Sequence, residues 1–356
     1  MLINKPRFPL KELLLHGWLP SPFKKAFYRR LGYRIDKGVR LALGSVLLGT
    51  NVDIGADTEV GFFSFVRGRT IRIGANVQIG AASMIDTPYV EIGDGTKINE
   101  QVFIGGLQFP DSRLVIGRNC QIMQMTFVNP TRSIVIGDDT GIGGDCLLFG
   151  HTSWLSRFEG YPVDFESIEI GKSVSIAWRV FILPGTRIGD GAVIGANSLV
   201  RGTIPPRCLA VGFPARVVAK EPEFPRLLSI ADKRAILRDV VEEFVARLQG
   251  DGIACRLEGD HLIVDARVRR GWMMRQTVRQ QLYIASGSLD EAAAVKADVI
   301  VSLCRIPEPM RSTFSRAGTM WLDVESKERS DSGNELGEET VSHFRRHGVR
   351  FLRVKS

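Results

Sequence analysis

An aliphatic residue returns every six positions through much of the first two thirds of this chain. Six is neither the 3.6-residue period of a helix nor the alternation of a strand, so the pattern predicts a short strand and a corner, repeated. Three such sides close a triangular coil, and stacked coils form a parallel β-solenoid with the aliphatic residues inside. The repeat starts, grouped by unbroken spacing, are Leu48, Ile54, Val60; Ile73, Ile79; Ile92, Ile98; Ile116, Ile122; Ile136, Ile142; and Ile170, Ile176, Ile182, Ile188, Ile194.

The positions that follow each start support the same interpretation. The residue four places later is small or β-branched at all sixteen starts. Glycine commonly follows the start directly, often before Asp or Asn, which is typical of tight or left-handed turns. Cys120 and Cys146 occupy the small position, and Cys208 has the same relation to Ile204. We therefore expect these three cysteines to be core residues.

The closing repeats carry a resemblance to a known family. The stretch "IEIGKSVSIAWRVFILPGTRIGDGAVIGANSLVRGTIPPRCLAVGFPARVVAK" resembles the last coils of the hexapeptide-repeat acyltransferases, and in particular of the sugar and polysaccharide O-acetyltransferases. The lead-in "LPSPFKKAFYRRLGYRIDKGVRL" is similar to the polysaccharide-modifying branch. The resemblance covers roughly residues 19–220 and implies a left-handed parallel β-helix. With the α/β pattern that follows, the predicted fold class is mainly β, a left-handed β-helix followed by a small C-terminal α/β domain.

The length of 356 residues favours more than one domain. We predict an N-terminal cap segment over 1–38, a β-helix acyltransferase domain over 39–221 and a C-terminal α/β domain of unknown role over 222–356. The cap segment contains an amphipathic basic stretch with Phe23, Phe27 and Leu31 on one helical face. It either covers the open first coil or lies on an anionic membrane surface. The expected elements of the last domain are a helix over 229–248, a hairpin over 254–266, strands over 297–305 and 319–326, a helix over 335–348 and a strand over 349–356.

One interruption of the repeat contains a histidine. After Leu148 the next start is due at position 154, but the pattern resumes at Ile170, an excess of 16 residues. A β-helix needs no insertion for stability, so a long insertion suggests function. His151 opens it, and the resemblance implies that His151 is the catalytic general base. An imidazole that titrates near pH 6.5 is suited to take a proton from a sugar hydroxyl.

The resemblance also implies acetyl-CoA as the acyl donor. By alignment of the motifs, the thioester and pantetheine arm pass beside Trp178 and Ala196. Arg201, Arg216 and Lys220 are the candidate phosphate contacts, since cations bind phosphates. The chain departs from the family's Thr-Lys pattern with "VRGTIPP", so Arg201 stands one position earlier than the usual lysine.

The acceptor side matches the family less closely. The galactoside-type enzymes have an asparagine about one coil before the histidine, whereas this chain has Gln124 and Met125, with Asn129 the nearest substitute. The other expected substrate contacts are Trp154, Arg157 and Tyr161, whose side chains can stack on or bond a sugar. Active sites of the family lie between neighbouring β-helices, which implies a homotrimer.

The function expected from these features is acetyl-CoA-dependent O-acetylation of a saccharide hydroxyl, in surface polysaccharide or glycolipid modification. N-acylation of a nucleotide-linked amino sugar and a non-catalytic trimeric scaffold remain alternatives. The net charge of +8 favours anionic partners, among which we expect no nucleic acid, while peripheral membrane contact stays open. Five cysteines without a C-x-x-C pair, and no secretory signal, predict a cytoplasmic location, with the inner membrane surface left open.

No metal site is expected. A zinc-dependent hydratase on the same helix needs three histidine ligands, yet residues 32–220 contain only His151. His261, His343 and His347 show no paired ligand geometry that the sequence pattern identifies.

Overall fold

The structure of the chain is a computed structural model that describes residues 9–270, 274–287, 289, 294, 296–331 and 333–354. The chain divides into two compact units, Met1–Leu227 and Leu228–Ser356. The predicted fold class is confirmed: a left-handed parallel β-helix is followed by a C-terminal α/β domain. Residues 1–8 of the predicted cap segment, and 355–356 of the last predicted strand, lie outside the described residues.

Three sheets form the three sides of the β-helix, and successive strands of the chain go to successive sheets. The first sheet is parallel throughout and contains β1 (Arg34–Ile35), β4 (Asn51–Ile54), β7 (Thr70–Ile73), β10 (Tyr89–Ile92), β13 (Arg113–Ile116), β16 (Ser133–Ile136), β19 (Ile168–Ile170), β22 (Arg187–Ile188) and β25 (Thr203–Ile204).

The second sheet ends in an antiparallel pair. It contains β2 (Arg40–Leu41), β5 (Glu59–Val60), β8 (Gln78–Ile79), β11 (Lys97–Ile98), β14 (Gln121–Ile122), β17 (Gly141–Ile142), β20 (Ser175–Ile176), β23 (Val193–Ile194), β26 (Cys208–Gly212) and β27 (Ala215–Lys220). The third sheet is parallel and contains β3 (Val46–Leu48), β6 (Phe65–Arg67), β9 (Met84–Asp86), β12 (Phe103–Ile104), β15 (Phe127–Asn129), β18 (Leu147–Phe149), β21 (Phe181–Ile182) and β24 (Leu199–Val200).

The length of the repeat varies at one corner. Six residues separate the inward residues of neighbouring sides, as from Ile54 to Val60, and these residues are buried. The corner between the third and first sheets takes the longer intervals, such as seven residues from Val66 to Ile73. Leu48 is therefore wrong as a repeat start. Leu47 is the buried residue of its strand, because counting back six from Ile54 ignores the extra corner residue.

Where the small position four places after a start is Thr or Ser, its hydroxyl can link one coil to the next. The Thr58 hydroxyl donates to the Gly74 carbonyl of the next coil at 2.7 Å and accepts from the Val77 N–H at 3.2 Å. Thr140 repeats this pattern with Gly171 and Val174. A small polar group here satisfies buried backbone atoms that would otherwise be unpaired. Cysteine serves as well, and the predicted core positions of Cys120, Cys146 and Cys208 are confirmed by burial.

The left-handed turn residue lies three places after the start, not at the glycine directly after it. Phe63, Gln101 and Arg179 occupy this place with φ near +55° to +60°, as Asp and Asn do at other corners. The glycine directly after the start has another cause. A Cβ on Gly80 would lie 2.5 Å from the backbone of the next coil, so close coil stacking requires glycine.

The N-terminal segment packs on the first coil with an unexpected face. It comprises α1 (Leu10–Glu12), a π-helical turn (Leu13–Gly17) and α2 (Ser21–Arg30). Lys24 is fully buried, and its ammonium donates to the carbonyls of Gly17, Ala42 and Ser45 at 2.7–3.0 Å. The predicted apolar face is instead exposed at Phe23, Phe27 and Leu31. The face that covers the coil is polar because the coil end presents carbonyl groups.

The C-terminal unit is one mixed sheet with helices. Its strands, in spatial as well as chain order, are β28 (Ala254–Glu258), β29 (His261–Arg270), β30 (Met274–Ala285), β31 (Val299–Ser302), β32 (Met320–Asp323), β33 (Glu328–Ser330) and β34 (Leu352–Val354). The helices whose bounds lie within its described residues are α3 (Ile230–Gly250), α4 (Glu308–Ala317) and α5 (Glu335–Arg346). Along α3, apolar residues recur every four positions; Val240, Phe244 and Leu248 are buried, but Ile236 is exposed. A strict spacing of four drifts around a helix of 3.6 residues per turn, so one end of the row leaves the buried face.

Within the described residues, no helix has the length and apolar character needed to cross a membrane.

Candidate active site

The insertion that contains His151 leaves the β-helix at the corner between the third and first sheets. It follows β18, includes a 3₁₀ turn at Arg157–Glu159 and rejoins the coil at β19. Its two ends pair with each other: His151 forms an antiparallel bridge with Phe165, and the Glu166 N–H donates to the Gly150 carbonyl at 3.1 Å. This pairing fixes the backbone of His151 although it lies in an irregular segment.

Gly150 lies in close contact with the coil beneath it. A Cβ there would lie 3.0 Å from the Asn129 carbonyl oxygen and 3.1 Å from the Thr131 nitrogen. The Gly150 N–H also donates to the Asn129 carbonyl at 3.1 Å. The Gly-His step therefore brings the histidine close to the coil surface, where a bulkier residue before it would push the loop away.

The His151 ring is mostly buried, with 8% of the residue exposed. The Ser153 hydroxyl lies 2.9 Å from Nδ1, and the Ser153 N–H is directed at the same atom from 3.3 Å. Within the described part of the chain, Nε2 makes no hydrogen bond. Nδ1 is thus the anchored nitrogen and Nε2 is the one left for a substrate.

Burial lowers the pKa of His151 below its ordinary value of 6.5, because desolvation disfavours the imidazolium. No carboxylate opposes this shift. The imidazole is therefore mainly neutral at pH 7 and can accept a proton. The Ser153 N–H donates to Nδ1, which favours the tautomer with the proton on Nε2. Acceptance of a proton at Nε2 requires the other tautomer, in which the N–H of Nδ1 donates to the Ser153 hydroxyl instead.

Three aromatic side chains surround the ring, and of these the sequence pattern singled out only Trp154. Phe149 meets it edge-on at 5.9 Å between centroids, Trp154 lies at 5.7 Å and Phe165 at 6.4 Å. Phe149 also continues a row of outward phenylalanines on the third sheet with Phe127 and Phe181. These rings provide the desolvation that lowers the histidine pKa.

A second insertion, at residues 105–112, supports the histidine loop from the same corner two coils earlier. Phe109 packs edge-on against Phe165 at 5.2 Å, and the Arg132 guanidinium lies 4.1 Å over the Phe109 ring. Arg132 also pairs with Asp111 at 2.9 Å. The one signal for this contact in the sequence is that both insertions interrupt the repeat at the same corner of the coil.

The expected acceptor residues fall into two groups. Asn129 is buried at the end of β15, in register with Phe149, and its Oδ1 accepts from the Thr131 hydroxyl at 3.1 Å. Trp154, Arg157 and Tyr161 are exposed on the loop. The Trp154 ring lies directly beside the His151 ring, and Asn129 is paired with Phe149, which also contacts that ring. Among the described contacts, none joins Arg157 or Tyr161 to His151.

Trp178 and Ala196 lie together at a different corner, between the second and third sheets. They stand in successive coils, where the Asn197 N–H donates to the Trp178 carbonyl at 3.1 Å. The Trp178 ring lies over Gly144, since a Cβ there would come within 2.5 Å of it. Both residues are exposed. In a single chain this surface and His151 occupy separate corners of the triangular coil.

The three candidate phosphate contacts are exposed cations. Arg201 follows β24 at the corner that His151 also occupies, whereas Arg216 and Lys220 lie on β27 at the end of the second sheet. None of the three has an ion-pair partner among the residues that the structure describes, whereas the nearby Arg207 pairs with Glu221. They remain available for an anionic ligand but do not converge on one point.

Comparison with known proteins gives partial matches. No protein-family model matches the chain. The chain is 34% identical over 114 residues to a protein of Escherichia coli K12 named as the lipopolysaccharide biosynthesis O-acetyl transferase WbbJ, covering 29% of this chain and 58% of that one. It is 38% identical over 112 residues to the galactoside O-acetyltransferase of the same organism, covering 29% and 54%. The chain resembles hexapeptide-repeat acetyltransferases. It spans little more than half the length of these curated relatives.

Among solved structures, the hexapeptide-repeat-containing acetyltransferase of Vibrio cholerae is 25% identical. That match covers 40% of this chain and 72% of the other, with a TM-score of 0.27.

Proposed function

We propose that this chain is an acetyl-CoA-dependent O-acetyltransferase that acts on a saccharide hydroxyl, with His151 as the general base. The observation that carries the proposal is the environment of His151: a buried neutral imidazole with Nδ1 anchored and Nε2 free, on an insertion in an otherwise regular coil. The names of the relatives, O-acetyltransferases of lipopolysaccharide biosynthesis and of galactosides, support a saccharide acceptor in surface polysaccharide or glycolipid modification.

In this mechanism His151 Nε2 takes the proton of the acceptor hydroxyl as its oxygen attacks the thioester carbonyl. A C–O bond forms, and the tetrahedral oxyanion requires a hydrogen-bond donor, for which a backbone N–H suffices. The C–S bond then breaks, and the imidazolium returns its proton to the thiolate of coenzyme A. Ester and thiol are the products, and no covalent acyl-enzyme is needed.

We infer that the active enzyme is a homotrimer. His151 and the Trp178–Ala196 surface occupy different corners, so a neighbouring copy can bring its donor surface to the histidine. The loop supports this arrangement because Trp154, Leu155 and Phe158 expose apolar side chains that a partner would cover. Arg201, Arg216 and Lys220 are the proposed contacts for the phosphates of the donor.

The test is acetyl-CoA turnover, measured as free thiol release, across a panel of saccharides. We expect His151→Ala to lower kcat by at least about a hundredfold while His261→Ala, a histidine of the C-terminal unit, keeps full activity. An ester product is released by mild alkali. An alkali-stable product would instead indicate N-acylation, and turnover that His151→Ala leaves unchanged would favour a scaffold role for the β-helix.

We also infer that the N-terminal segment contacts an anionic membrane surface from the cytoplasmic side. Leu14, Trp18 and Phe23 are exposed beside the basic Lys25 and Arg30, a combination that suits an interface with acidic headgroups. The free cysteines suit a reducing compartment.

Co-sedimentation with vesicles tests this membrane contact. We expect binding to vesicles that contain phosphatidylglycerol, weak binding to phosphatidylcholine alone, and loss of binding in Trp18→Glu/Phe23→Glu. The matched control is Phe213→Glu, which changes an exposed phenylalanine at the other end of the β-helix. Equal binding of the two variants would rule out this surface.

A further inference from the structure

The C-terminal unit brings three metal-ligating groups together outside the β-helix. Glu243 comes from α3, His343 from α5, and His347 is the C-terminal cap residue of α5. One ligand atom from each lies within 4.8 Å of the other two. His343 and His347 stand four positions apart, so they project from the same face of their helix.

His343 has an unpaired nitrogen in the interior. The residue is 1% exposed, and its Nε2 lies 2.9 Å from the Val240 carbonyl, to which an N–H can donate. That bond places the proton on Nε2 and leaves a lone pair on Nδ1. Nδ1 is buried and has no hydrogen-bond partner in the described part of the chain. A buried nitrogen without a hydrogen bond destabilises the fold, so a ligand that binds this atom would be stabilising.

The tautomer is the one that metal-binding histidines adopt. A ligating imidazole commonly donates its other N–H to a carboxylate or a backbone carbonyl, which orients the ring and increases the basicity of the coordinating nitrogen. The Val240 carbonyl has that role here. Since Val240 lies on α3, the same helix that carries Glu243, the second helix both orients one ligand and supplies another.

His347 and Glu243 form the more exposed side of the cluster. His347 Nε2 lies 3.1 Å from a Glu243 carboxylate oxygen. Two ligands at about 2.0–2.1 Å from a tetrahedral zinc ion are separated by about 3.3 Å, which is close to that distance. The C-terminal end of α5 also favours a cation through its unpaired carbonyl groups.

One positive charge adjoins the cluster. Arg247, one turn after Glu243 on α3, donates to Glu339 at 3.0 Å and lies over the Phe244 ring. The Glu339 carboxylate balances its charge, so Arg247 does not leave the cluster with an uncompensated cation.

We propose that Glu243, His343 Nδ1 and His347 bind one zinc ion, with water as the fourth ligand. Two imidazoles and one carboxylate are a donor set that suits zinc, and three protein ligands leave an open position. The ion links α3 to α5 and stabilises the C-terminal unit. The zinc site takes no part in the proposed acyl transfer, so the zinc proposal can be tested separately from the proposed enzyme activity.

The test uses the full chain, stripped with a chelator and dialysed, and titrated with zinc chloride in a calorimeter. We expect one zinc per chain and a zinc-dependent rise in unfolding temperature of several degrees. Loss of one of three ligands in His347→Gln or Glu243→Gln should weaken binding by at least about tenfold. His261→Gln, the matched control in the same unit, should bind as the unchanged chain does.

Cobalt(II) supplies a second readout that protein stability does not influence. A tetrahedral cobalt site with nitrogen and oxygen ligands gives visible absorption bands, which zinc should displace and which His347→Gln should lose. Absence of saturable zinc binding at micromolar concentrations would overturn the proposal. Binding that both variants leave unchanged would do the same. His343 is left intact because its replacement leaves a hole between the helices.

Discussion

At the scale of single residues, burial and a contact with Ser153 set the protonation state and the orientation of the His151 ring. No charged group among the described residues partners the histidine, and its ring is held by Ser153 and by aromatic neighbours. Desolvation is then the force that sets its protonation state, which keeps the base neutral without an acidic residue beside it. The site thus depends on how completely the loop covers the ring.

The pH dependence of activity follows from this burial. Because the pKa of His151 lies below 6.5, the neutral base predominates above that value, and activity should fall only as the pH drops through the lowered pKa. We expect the acidic limb of kcat/KM to have its midpoint below pH 6.5. A midpoint above 6.5 would contradict desolvation as the dominant effect and would point to a carboxylate near the ring in the assembled enzyme.

Ser153 acts as a positioning residue. Ser153→Ala removes the hydroxyl contact to Nδ1 at 2.9 Å, and one such hydrogen bond contributes about 1 kcal/mol, so kcat should fall about fivefold with KM unchanged. Ser153→Thr keeps the hydroxyl and should restore most of the loss. Steady-state kinetics of both variants make the measurement. A loss that threonine does not rescue would mean that the hydroxyl has no part in orienting the ring.

At the scale of elements, the N-terminal helix is held by a buried cation. The Lys24 ammonium contacts carbonyls of Gly17, Ala42 and Ser45, and burial lowers its pKa to about 8, so it is still mainly charged at pH 7. A charged donor in this position joins the turn at Gly17 to two carbonyls of the first coil, which has no preceding coil to pair with.

Lys24→Met should therefore destabilise the β-helix. The methionine fills much of the same volume, but it leaves the carbonyls without their charged donor, at a cost of about 2–4 kcal/mol. Urea unfolding followed by circular dichroism should show a lower midpoint for the β-helix transition. Lys25→Met, which changes the adjacent and less buried lysine, should leave the midpoint in place. Equal midpoints for the two variants would show that the cation is dispensable.

The sequence predicts elements well where their pattern is local. The spacing of six identified the coil, and Cys120 and Cys146 followed from the small position because each coil repeats the same contacts. It did not identify the support of Phe165 by Phe109, since those residues are 56 positions apart and meet only when gaps align in the folded coil. Strand β30 and helix α4 were missed in a unit that has no repeat to mark them.

The candidate site likewise contains residues with a local sequence signal and residues without one. His151 could be named because a break in a regular pattern is visible in the sequence, whereas Ser153 and Phe149 have no such signal. The burial of Lys24 had no signal either, since nothing in a charge pattern shows which lysine meets the carbonyls of the first coil. The sequence pattern did not identify His343 and His347 as ligands, although their spacing of four places them on one helix face. The third group, Glu243, lies 100 residues before His343 on another helix.

At the scale of the whole molecule, the separation of the two corners predicts how copies cooperate. If His151 of one copy works with the Trp178–Ala196 surface of the next, two different inactive variants can complement each other. Each hybrid trimer of His151→Ala and Ala196→Trp chains contains one intact site, so co-expressed and doubly tagged hybrids should recover about a third of full activity. Each variant alone should be inactive. Hybrids that stay inactive would place the complete site within one chain.

The covered first coil bears on how many copies can join end to end. A stack of parallel coils is a template whose terminal strands can accept another strand, and a rod open at one end can grow by adding further rods. Helix α2 and its lysine occupy that end and replace the next coil with side-chain donors. The same few residues that anchor the helix should thus oppose end-to-end growth of the protein into filaments.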